Sequence, residues 1–458
     1  MLCALAVTTS LLVSSALAWQ SPYADCQLPR PQGQQLSMCP NGTLYVSQSD
    51  PQAGYGTISS AINALPNDSS NHTILVGPGS YHEVLNVTRK GPLTILGITH
   101  NPADYTANLV HVWNSSYINQ TTQTSSQDNA DAVVLTVSPN RAASLVGSGP
   151  LGAPLQPEFG CSDFKMYNID VANRATINGV EHKTSDTGPS AALFVAYANA
   201  SFYGCTFASY QDTLYVGRNG SAVFFGGEVR GSTDYTWTLV DNANAQIYGF
   251  GTAYFEGTTL ASRGIGGGIT AWKGSTQWCE RQIVVKPGAR VVASVLTVRL
   301  DGPNTFGVYF RDSKIVAAPD PIPNVTLTHN CALGRPWNNQ SRVVYMDTEM
   351  SDIVNPQGFI IWSASDPRVC TFTLNPYNAT STSLGTQTNK SLEKRRAIVV
   401  PNVTFFIESG SRGPGWNPSS RNYSIESTIP PSQAKAQYSL SDVFGGFPSW
   451  VDSAYVYN

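Results

Sequence analysis

A segment that begins with phenylalanine recurs through the middle of the 458-residue chain, and this repeat limits the possible folds more than any other feature. Each segment has a second apolar residue five positions later, and the pairs are Phe202 with Phe207, Phe224 with Val229, Phe255 with Leu260, and Phe310 with Ile315. The first interval, of 22 residues, is typical of one solenoid coil; 31 residues indicate one coil with an insertion, and 55 residues indicate two or more coils. The segments are rich in β-branched and aromatic residues, which favour strands. The sequence therefore predicts an all-β chain folded as a parallel solenoid, with an antiparallel β-sandwich as the alternative.

Apolar runs outside the repeat predict further strands, and the two ends of the chain predict capping segments. The strands are predicted at His72–Gly77, Leu93–Ile98, Val133–Val137, Phe164–Val171 and Ile283–Val298. The helical spacing of Ile58, Ala61, Ile62 and Leu65 predicts a short N-terminal capping helix, and Ser432–Val451 predicts a closing helix and loop. We divide the chain into a signal peptide (1–18), an N-terminal extension (19–50) and one solenoid domain (51–455) with an inserted loop at about 371–411.

Composition and charge exclude several classes of protein. A net charge of −3 gives no electrostatic basis for binding nucleic acid, and a hydrophobic share of 41% excludes general disorder. The first 18 residues combine an apolar stretch with Ala-Leu-Ala, as in a cleaved secretory signal, and no later apolar run is long enough to cross a membrane. Fourteen Asn-x-Ser/Thr sequons between Asn41 and Asn422 agree with a secreted, extracellular glycoprotein.

Cysteine and histidine spacings give no metal site. Seven cysteines remain after the signal peptide, so at least one is free or pairs with another chain. Cys26 and Cys39 are near enough in sequence for a local disulfide, whereas the sequence leaves the other pairings open. No CxxC pair occurs and the six histidines lack ligand spacing, so we expect neither a metal nor another cofactor.

Two aspartates occupy equivalent positions in the first two repeats. Asp212 and Asp234 each lie ten residues after the leading phenylalanine of their segment. Adjacent parallel strands are about 4.8 Å apart, so the two carboxylates are expected to lie one above the other. Tyr215 and Trp237 follow three residues later and would form an aromatic ledge suited to a sugar. Since two such carboxylates cannot both ionise freely, one would act as an acid and the other as a nucleophile or base; the alternative is a pair of solvated turn residues.

At these residues the sequence resembles the pectinesterase (pectin methylesterase) family, of the secreted microbial type. SYQDTLYV at Ser209–Val216 looks like the family's QDTLY segment, and GSTDYTW at Gly231–Trp237 is similar to its GxVDFIFG segment. LGRPW at Leu333–Trp337 matches the family's LGRPW segment in full. Three further segments resemble the family's GxYxE strand, GWxxW segment and GPG loop, and they are GSYHE at Gly79–Glu83, QGFIIW at Gln357–Trp362 and RGPGWN at Arg412–Asn417. All these segments follow the family's order.

The resemblance implies a right-handed parallel β-helix and hydrolysis of the C6 methyl ester of galacturonate in pectin. It implies that Asp234 is the nucleophile, that Asp212 is the acid and base, and that Arg335 holds Asp234 ionised. Gln211 would help to stabilise the oxyanion. The implied sugar-binding residues are Tyr215, Trp237, Trp337 and Trp362. Pectin is the expected partner of a monomeric protein that binds neither nucleic acid nor membrane.

The chain departs from the family's pattern at two places beside the proposed chemistry. Pro189 stands where the family has a second oxyanion glutamine, although Ser190 or Thr184 could substitute for it. About ten extra residues follow the Asp234 segment. A non-catalytic pectin-binding protein is therefore the alternative, and a solenoid glycosidase or lyase is a third hypothesis in which LGRPW would have no role.

Overall fold

Three sheets of parallel strands run the length of the molecule. The computed structural model describes residues 22–119, 122, 124, 127–146, 158–177, 180–181, 188–217, 219–232, 247–249, 251–265, 268–273, 306–338, 341–368 and 405–455. Within them, every strand pair of the three sheets is parallel, and each strand pairs with the strand of the next coil. This arrangement excludes the antiparallel sandwich and confirms the predicted right-handed parallel β-helix.

The longest sheet carries the phenylalanine repeat. Its eleven described strands are, in order, Leu44–Val46, His72–Val76, Leu93–Gly97, Phe164–Tyr167, Asn199–Tyr203, Ser221–Phe225, Thr252–Glu256, Gly307–Arg311, Arg342–Met346, Phe405–Ser409 and Glu426–Thr428. Phe202, Phe224, Phe255 and Phe310 are direct partners in successive strands. Their buried rings stack with centroid separations of 4.9, 4.3 and 4.8 Å. The repeat is therefore the core of the solenoid, one ring per coil.

Two further sheets complete each coil. The eight-stranded sheet contains Gly79–His82, Val110–Asn114, Asp170–Asn173, Thr206–Ala208, Glu228–Gly231, Thr259–Ser262, Lys314–Ala317 and Glu349–Met350. The seven-stranded sheet contains Leu85–Val87, Val133–Val137, Ala191–Ala196, Leu214–Gly217, Ile247–Gly249, Thr270–Trp272 and Gly334–Pro336. A small antiparallel hairpin, Thr176–Ile177 with Val180–Glu181, lies outside these sheets.

Short helices lie at both ends of the chain and in its loops. The α-helices are Ala24–Gln27, Ile58–Ala64, Arg141–Ser144, Pro431–Gln437 and Leu440–Phe444, and the 3-10 helices are Tyr105–Ala107, Asn129–Asp131, Pro418–Ser420 and Ser453–Tyr455. The predicted capping helix is confirmed: Ile58, Ala61 and Ile62 are buried, and Thr57 caps it by accepting a hydrogen bond from the Ser60 amide. The closing helices lie within or beside the predicted range. No described helix is long and apolar enough to span a bilayer.

Two predictions about coil boundaries were wrong. The interval of 55 residues is one coil rather than two, because Phe255 and Phe310 pair directly. The predicted strand Phe164–Val171 is two strands in different sheets, because Asn168 has a φ of 53° and turns the chain between them. The buried Asn168 amide stabilises this corner through hydrogen bonds with Gln27 (2.9 Å) and Asn108 (3.1 Å).

The predicted domain limits also need adjustment. The N-terminal extension supplies the first strand of the longest sheet, Leu44–Val46, so part of it belongs to the solenoid. The inserted loop at 371–411 overlaps the strand Phe405–Ser409, while residues 369–404 lie outside the described residues, as do the signal peptide and the predicted strand at 283–298. Cys26 and Cys39 form the expected local disulfide, and Cys161, Cys205 and Cys331 are free and buried.

Candidate active site

Asp212 lies in the turn that links the eight-stranded to the seven-stranded sheet. This turn joins the strands Thr206–Ala208 and Leu214–Gly217, and Asp212 takes a left-handed conformation with a φ of 59°. Such a φ is uncommon for a residue other than glycine, although aspartate tolerates it better than most. The Asp212 side chain is fully buried and its Oδ2 accepts a hydrogen bond of 3.1 Å from Asn129 Nδ2.

Asn129 is a site residue that sequence reasoning missed. It begins a 3-10 turn that is closed by a capping box between Asp128 and Asp131. Asp128 also accepts a hydrogen bond from the Val146 amide, and Arg141 Nη2 lies 2.6 Å from an Asp131 oxygen. The turn therefore has little freedom, and it holds the Asn129 amide against Asp212. No motif identified Asn129, because the contact crosses 83 residues of sequence.

Arg335 reaches the same region from three strands away. It lies in the strand Gly334–Pro336, and the pairing runs from Tyr215 through Tyr248 and Ala271 to Arg335. Burial, together with the positive charge of Arg368, lowers the pKa of Arg335 to about 10, whereas the nearby Asp212 carboxylate opposes that shift. Asp212 and Arg335 are thus close enough for their charges to interact, and the guanidinium stays protonated at neutral pH.

The glycine before Arg335 is required by close packing. A Cβ at Gly334 would lie 2.1 Å from Thr270 Oγ1. On the other side, the Leu333 amide donates to Gly358 O and the Ile360 amide donates to Gly334 O, both at 3.0 Å. The segment that leads to Trp362 therefore runs directly beside the Arg335 strand. This explains why LGRPW and QGFIIW, which are separated in sequence, contribute to one site.

Two tryptophans and a second arginine lie beside Arg335. The Cζ atoms of Arg335 and Arg368 lie 4.1 and 3.8 Å from the centroid of the Trp362 ring. Arg368 Nη1 also donates to the Trp337 carbonyl at 3.3 Å. Trp337 and Trp362 are half-buried. Arg368 was not predicted, since nothing in the sequence relates it to a motif.

Tyr215 has a different environment from the tryptophans. It is fully buried, and its ring packs 4.6 Å from that of Phe194. Trp337 lies against the same small apolar cluster. Tyr215 therefore forms part of the layer beneath Trp337 rather than an exposed ledge.

The segment around Pro189 is tied to the turn that carries Gln211. The Ser190 amide donates to Gln211 O at 3.0 Å, and the Ser190 hydroxyl lies 3.0 Å from the Ser209 hydroxyl. Ser190 is fully buried and Gln211 nearly so. Ser190 thus fixes the turn, and Pro189 offers no side-chain donor; Thr184 lies outside the described residues.

Asp234 and Trp237 lie outside the described residues. The chain just before them is in the register with the preceding coil that the repeat predicts. The Ser232 amide and hydroxyl both donate to the Tyr210 carbonyl, at 2.7 and 2.8 Å. Ser232 and Tyr210 each precede their aspartate by two residues. On the far side, however, Tyr215 pairs with Tyr248, so the expected register of Tyr215 with Trp237 was wrong.

The comparisons with known proteins all find pectinesterases, which are also called pectin methylesterases. The pectinesterase family model matches residues 276–397, which include LGRPW and Trp362. Over 422 residues the chain is 28% identical to a probable pectinesterase A of Aspergillus fumigatus, covering 92% of this chain and 91% of the relative. A pectin methylesterase structure from Aspergillus niger matches at 24% identity with a TM-score of 0.57, covering 91% of this chain and 98% of that one. The carrot pectin methylesterase matches at 19% identity with a TM-score of 0.58, covering 92% and 97%.

The fold and the matched relatives first define a class, the carbohydrate esterases built on a parallel β-helix. Within that class, the predicted resemblance to the pectinesterase family is confirmed by the match to its family model and by the similarity to the fungal pectinesterases. Among the described residues no three His, Cys, Asp or Glu side chains cluster as they would around a metal ion.

Proposed function

We propose that the protein hydrolyses the C6 methyl esters of homogalacturonan in pectin, giving pectate and methanol. The Asp234 carboxylate attacks the ester carbonyl, and Asp212 donates its proton to the departing methoxy oxygen, which leaves as methanol. Asp212, now ionised, takes a proton from a water molecule, whose oxygen attacks the acyl-enzyme. The C6–Asp234 bond then breaks, and the free acid is released with Asp234 regenerated.

The observation that carries this proposal is the burial of Asp212 within the electrostatic range of Arg335. A buried carboxylate beside a protonated guanidinium, at the start of a strand, is poised for acid and base chemistry rather than for a solvated turn. Ser232 supports the role of Asp234. Its two hydrogen bonds to Tyr210 align the two neighbouring coils at positions that lie two residues before Asp234 and Asp212. Arg335 would hold Asp234 ionised, and Gln211 would donate to the oxyanion.

The half-buried tryptophans support a sugar-binding groove. Both tryptophans are half-buried, and Arg368 contacts both of them, through the Trp362 ring and the Trp337 carbonyl. Apolar ring faces are suited to the C–H surfaces of pyranose rings. We propose that Trp337 and Trp362, with Trp237, line this groove and that Tyr215 supports it from below. A pectin methylesterase that shares this fold was solved in complex with a hexasaccharide.

An assay of methanol and reducing ends on highly methyl-esterified pectin tests the proposal. Release of methanol without new reducing ends is expected, because a glycosidase or a lyase would cut the chain instead. Asp212→Asn and Asp234→Asn should each lower kcat by at least about 10³-fold. Asp170→Asn is the matched control, because Asp170 lies in the eight-stranded sheet and binds His111. Full activity in either site variant would refute the mechanism.

A pectin-binding protein without activity is the second candidate, and Pro189 favours it. The neighbouring Ser190 hydroxyl is buried against Ser209 and does not replace the missing amide donor. Loss of one oxyanion donor typically costs about 10²–10³ in rate. Binding of pectin without methanol release, and turnover that appears only in Pro189→Gln, would favour this candidate.

We also propose that the protein is exported and glycosylated. The apolar N-terminal segment and the fourteen sequons support export and glycosylation. Secretion from the expressing cell and treatment with an endoglycosidase would test this directly. Retention in the cell with an intact N-terminus would contradict it.

A further inference from the structure

A buried ionic cluster lies in the C-terminal coils of the solenoid. Arg421 pairs with Glu408 through two hydrogen bonds, from Nε to Oε1 at 2.7 Å and from Nη2 to Oε2 at 3.3 Å. Its Nε also lies 3.8 Å from an oxygen of Glu426. None of the three side chains is exposed to solvent. Charges buried in this way are unfavourable unless they are paired and hydrogen-bonded, so the further contacts of the guanidinium are part of what keeps it there.

Arg421 donates its other N–H groups to backbone carbonyls of two loops. Its Nη1 donates to the carbonyls of Asn355 and Pro356 at 3.2 and 3.0 Å, and its Nη2 donates to that of Gly415 at 3.3 Å. Gly415 belongs to the RGPGWN segment, to which the proposed mechanism gives no role. One planar guanidinium therefore fixes two loops and the strand of Glu408 relative to one another.

Glu426 binds the same part of the chain as Arg421. Its Oε2 accepts a hydrogen bond of 3.1 Å from the Phe359 amide. Gly358 has a φ of 73°, and a Cβ there would lie 2.6 Å from Glu426 Oε2 and 2.8 Å from Arg421 Cδ. Residues 355–359, which we call the anchored turn, are therefore packed directly on the cluster and bound to it at both ends.

The anchored turn pairs with the residues that precede Arg335. The Asn355 amide donates to the Cys331 carbonyl at 2.8 Å, and the Leu333 amide donates to the Gly358 carbonyl at 3.0 Å. Arg335 is the second residue after Leu333. A shift of the anchored turn would therefore move the backbone that carries the Arg335 guanidinium.

We propose that Arg421 is a positioning residue, which holds the anchored turn and thereby sets the place of Arg335 beside Asp212. This inference rests on the proposed function, in which Arg335 keeps Asp234 ionised. A methionine would fill much of the same space but would donate to none of these carbonyls. A lysine would pair with Glu408 but, with a single nitrogen, would not reach both loops. The anchored turn would then shift, and catalytic groups misplaced by about 1 Å lose about 10²-fold in rate.

Steady-state kinetics of methanol release test the proposal. We expect Arg421→Met to lower kcat by about 10²-fold with little change in KM, because substrate binding does not depend on the position of Arg335 as closely as the chemical step does. Arg421→Lys, which keeps the charge and part of the hydrogen bonding, should lower kcat less.

Arg89→Met is the matched control. Arg89 is also buried, and it donates to the carbonyls of Pro66 and Ser70 at 3.3 and 2.9 Å. It follows the strand Leu85–Val87, which lies at the opposite end of the seven-stranded sheet from Gly334–Pro336. Arg89→Met should therefore lower the urea midpoint but leave kcat close to that of the parent. Equal losses of kcat in Arg89→Met and Arg421→Met would overturn the positioning role.

A double-mutant cycle with Arg335 separates positioning from general damage. In Arg335→Gln, where the positioned guanidinium is absent, Arg421→Met should lower kcat further by no more than about twofold. The same cycle is measured with Arg421→Lys, so that the test stands if the methionine variant does not fold. Equal fold losses of kcat in the parent and in Arg335→Gln would contradict an action through Arg335.

Hydrogen exchange followed by mass spectrometry requires no turnover. In both Arg421 variants, peptides that contain the amides of Leu333 and Phe359 should exchange about tenfold faster than in the parent, whereas Arg89→Met should leave them unchanged. Faster exchange in the variants of a parent that releases no methanol would refute the proposed activity alone. Unchanged exchange in both Arg421 variants would refute this inference.

Discussion

Replacement of Arg263 by methionine should displace the turn that carries Asp212. Arg263 is almost fully buried, and its Nη1 donates to the Ser209 carbonyl at 2.7 Å. Its Nη2 lies 2.6 Å from Asp320 Oδ2, and its Cζ lies 4.5 Å from the Tyr210 ring centroid. Ser209 and Tyr210 directly precede Gln211 and Asp212 in sequence, so one guanidinium holds the entry to the turn.

These contacts set the expected magnitude. The buried, charge-assisted hydrogen bond to Ser209 contributes about 2 kcal/mol. The pair with Asp320 contributes less than about 1 kcal/mol, because that carboxylate is half-exposed and screened. Stacking on Tyr210 adds about 0.5–1 kcal/mol. Methionine keeps an apolar stem, so we expect Arg263→Met to lower the free energy of unfolding by about 3 kcal/mol.

The consequence for turnover is separate from the loss of stability. A shift of about 1 Å in a catalytic group can lower the rate by about 10²-fold, so kcat should fall far more than KM rises. Urea unfolding followed by tryptophan fluorescence gives the free energy, and methanol release gives kcat and KM. Arg263→Lys, which can still donate to Ser209, should recover part of kcat.

Arg230 provides the matched control for Arg263. Its side chain binds Glu228 at 2.5 Å and lies 3.4 Å from the same Asp320, without a described side-chain contact to the turn. Arg230→Met should therefore cost less stability and leave kcat close to that of the parent. Equal effects of the two substitutions on kcat would refute the positioning role of Arg263.

Three further substitutions have defined outcomes. Gly334→Ala places a Cβ 2.1 Å from Thr270 Oγ1 and should lower the free energy of unfolding by about 1–3 kcal/mol. Activity should also fall, because Arg335 follows directly in the chain. Stability in urea equal to that of the parent protein would contradict this packing. Burial raises the pKa of Glu256 to about 7, so the folded state holds its proton more tightly than the unfolded state, and this group makes stability fall as pH rises from about 4.5 to about 7. Glu256→Gln should remove up to about 3 kcal/mol of that fall, and identical pH profiles of the unfolding free energy would refute it. Replacement of Cys26 and Cys39 by serine opens a short loop and should cost about 3 kcal/mol, measured as a lower urea midpoint than that of the parent.

The periodic part of the fold could be predicted because each coil adds one ring to the same stack. The pairing of Phe202, Phe224 and Phe255 follows directly from their repeat in sequence. The number of coils between Phe255 and Phe310 could not be predicted from the number of residues between them. A loop inserted between strands lengthens the spacing in sequence without changing which strands pair. The corner at Asn168 was also missed, because a single left-handed residue divided what reads as one apolar run.

The candidate site was predictable only where its residues belong to a motif or to the repeat. Asp212 and Arg335 were predicted in this way, and the structure brings their charges close enough to interact. Asn129 and Arg368 belong to loops whose positions depend on hydrogen bonds to distant segments, such as the one from Arg368 to Trp337. Since those loops have no period, nothing in the local sequence relates them to the aspartate turn.

The insertion beside Asp234 can be located by comparing the register on its two sides. Before it, Ser232 bonds to Tyr210, so no residue has been added by that point. After it, Leu214 pairs with Ile247; Leu214 is the second residue after Asp212, whereas Ile247 is the thirteenth residue after Asp234. The additional residues therefore enter between Ser232 and Ile247. Because the coil resumes the same pairing, the stack accepts a change beside the candidate nucleophile without a change in the fold.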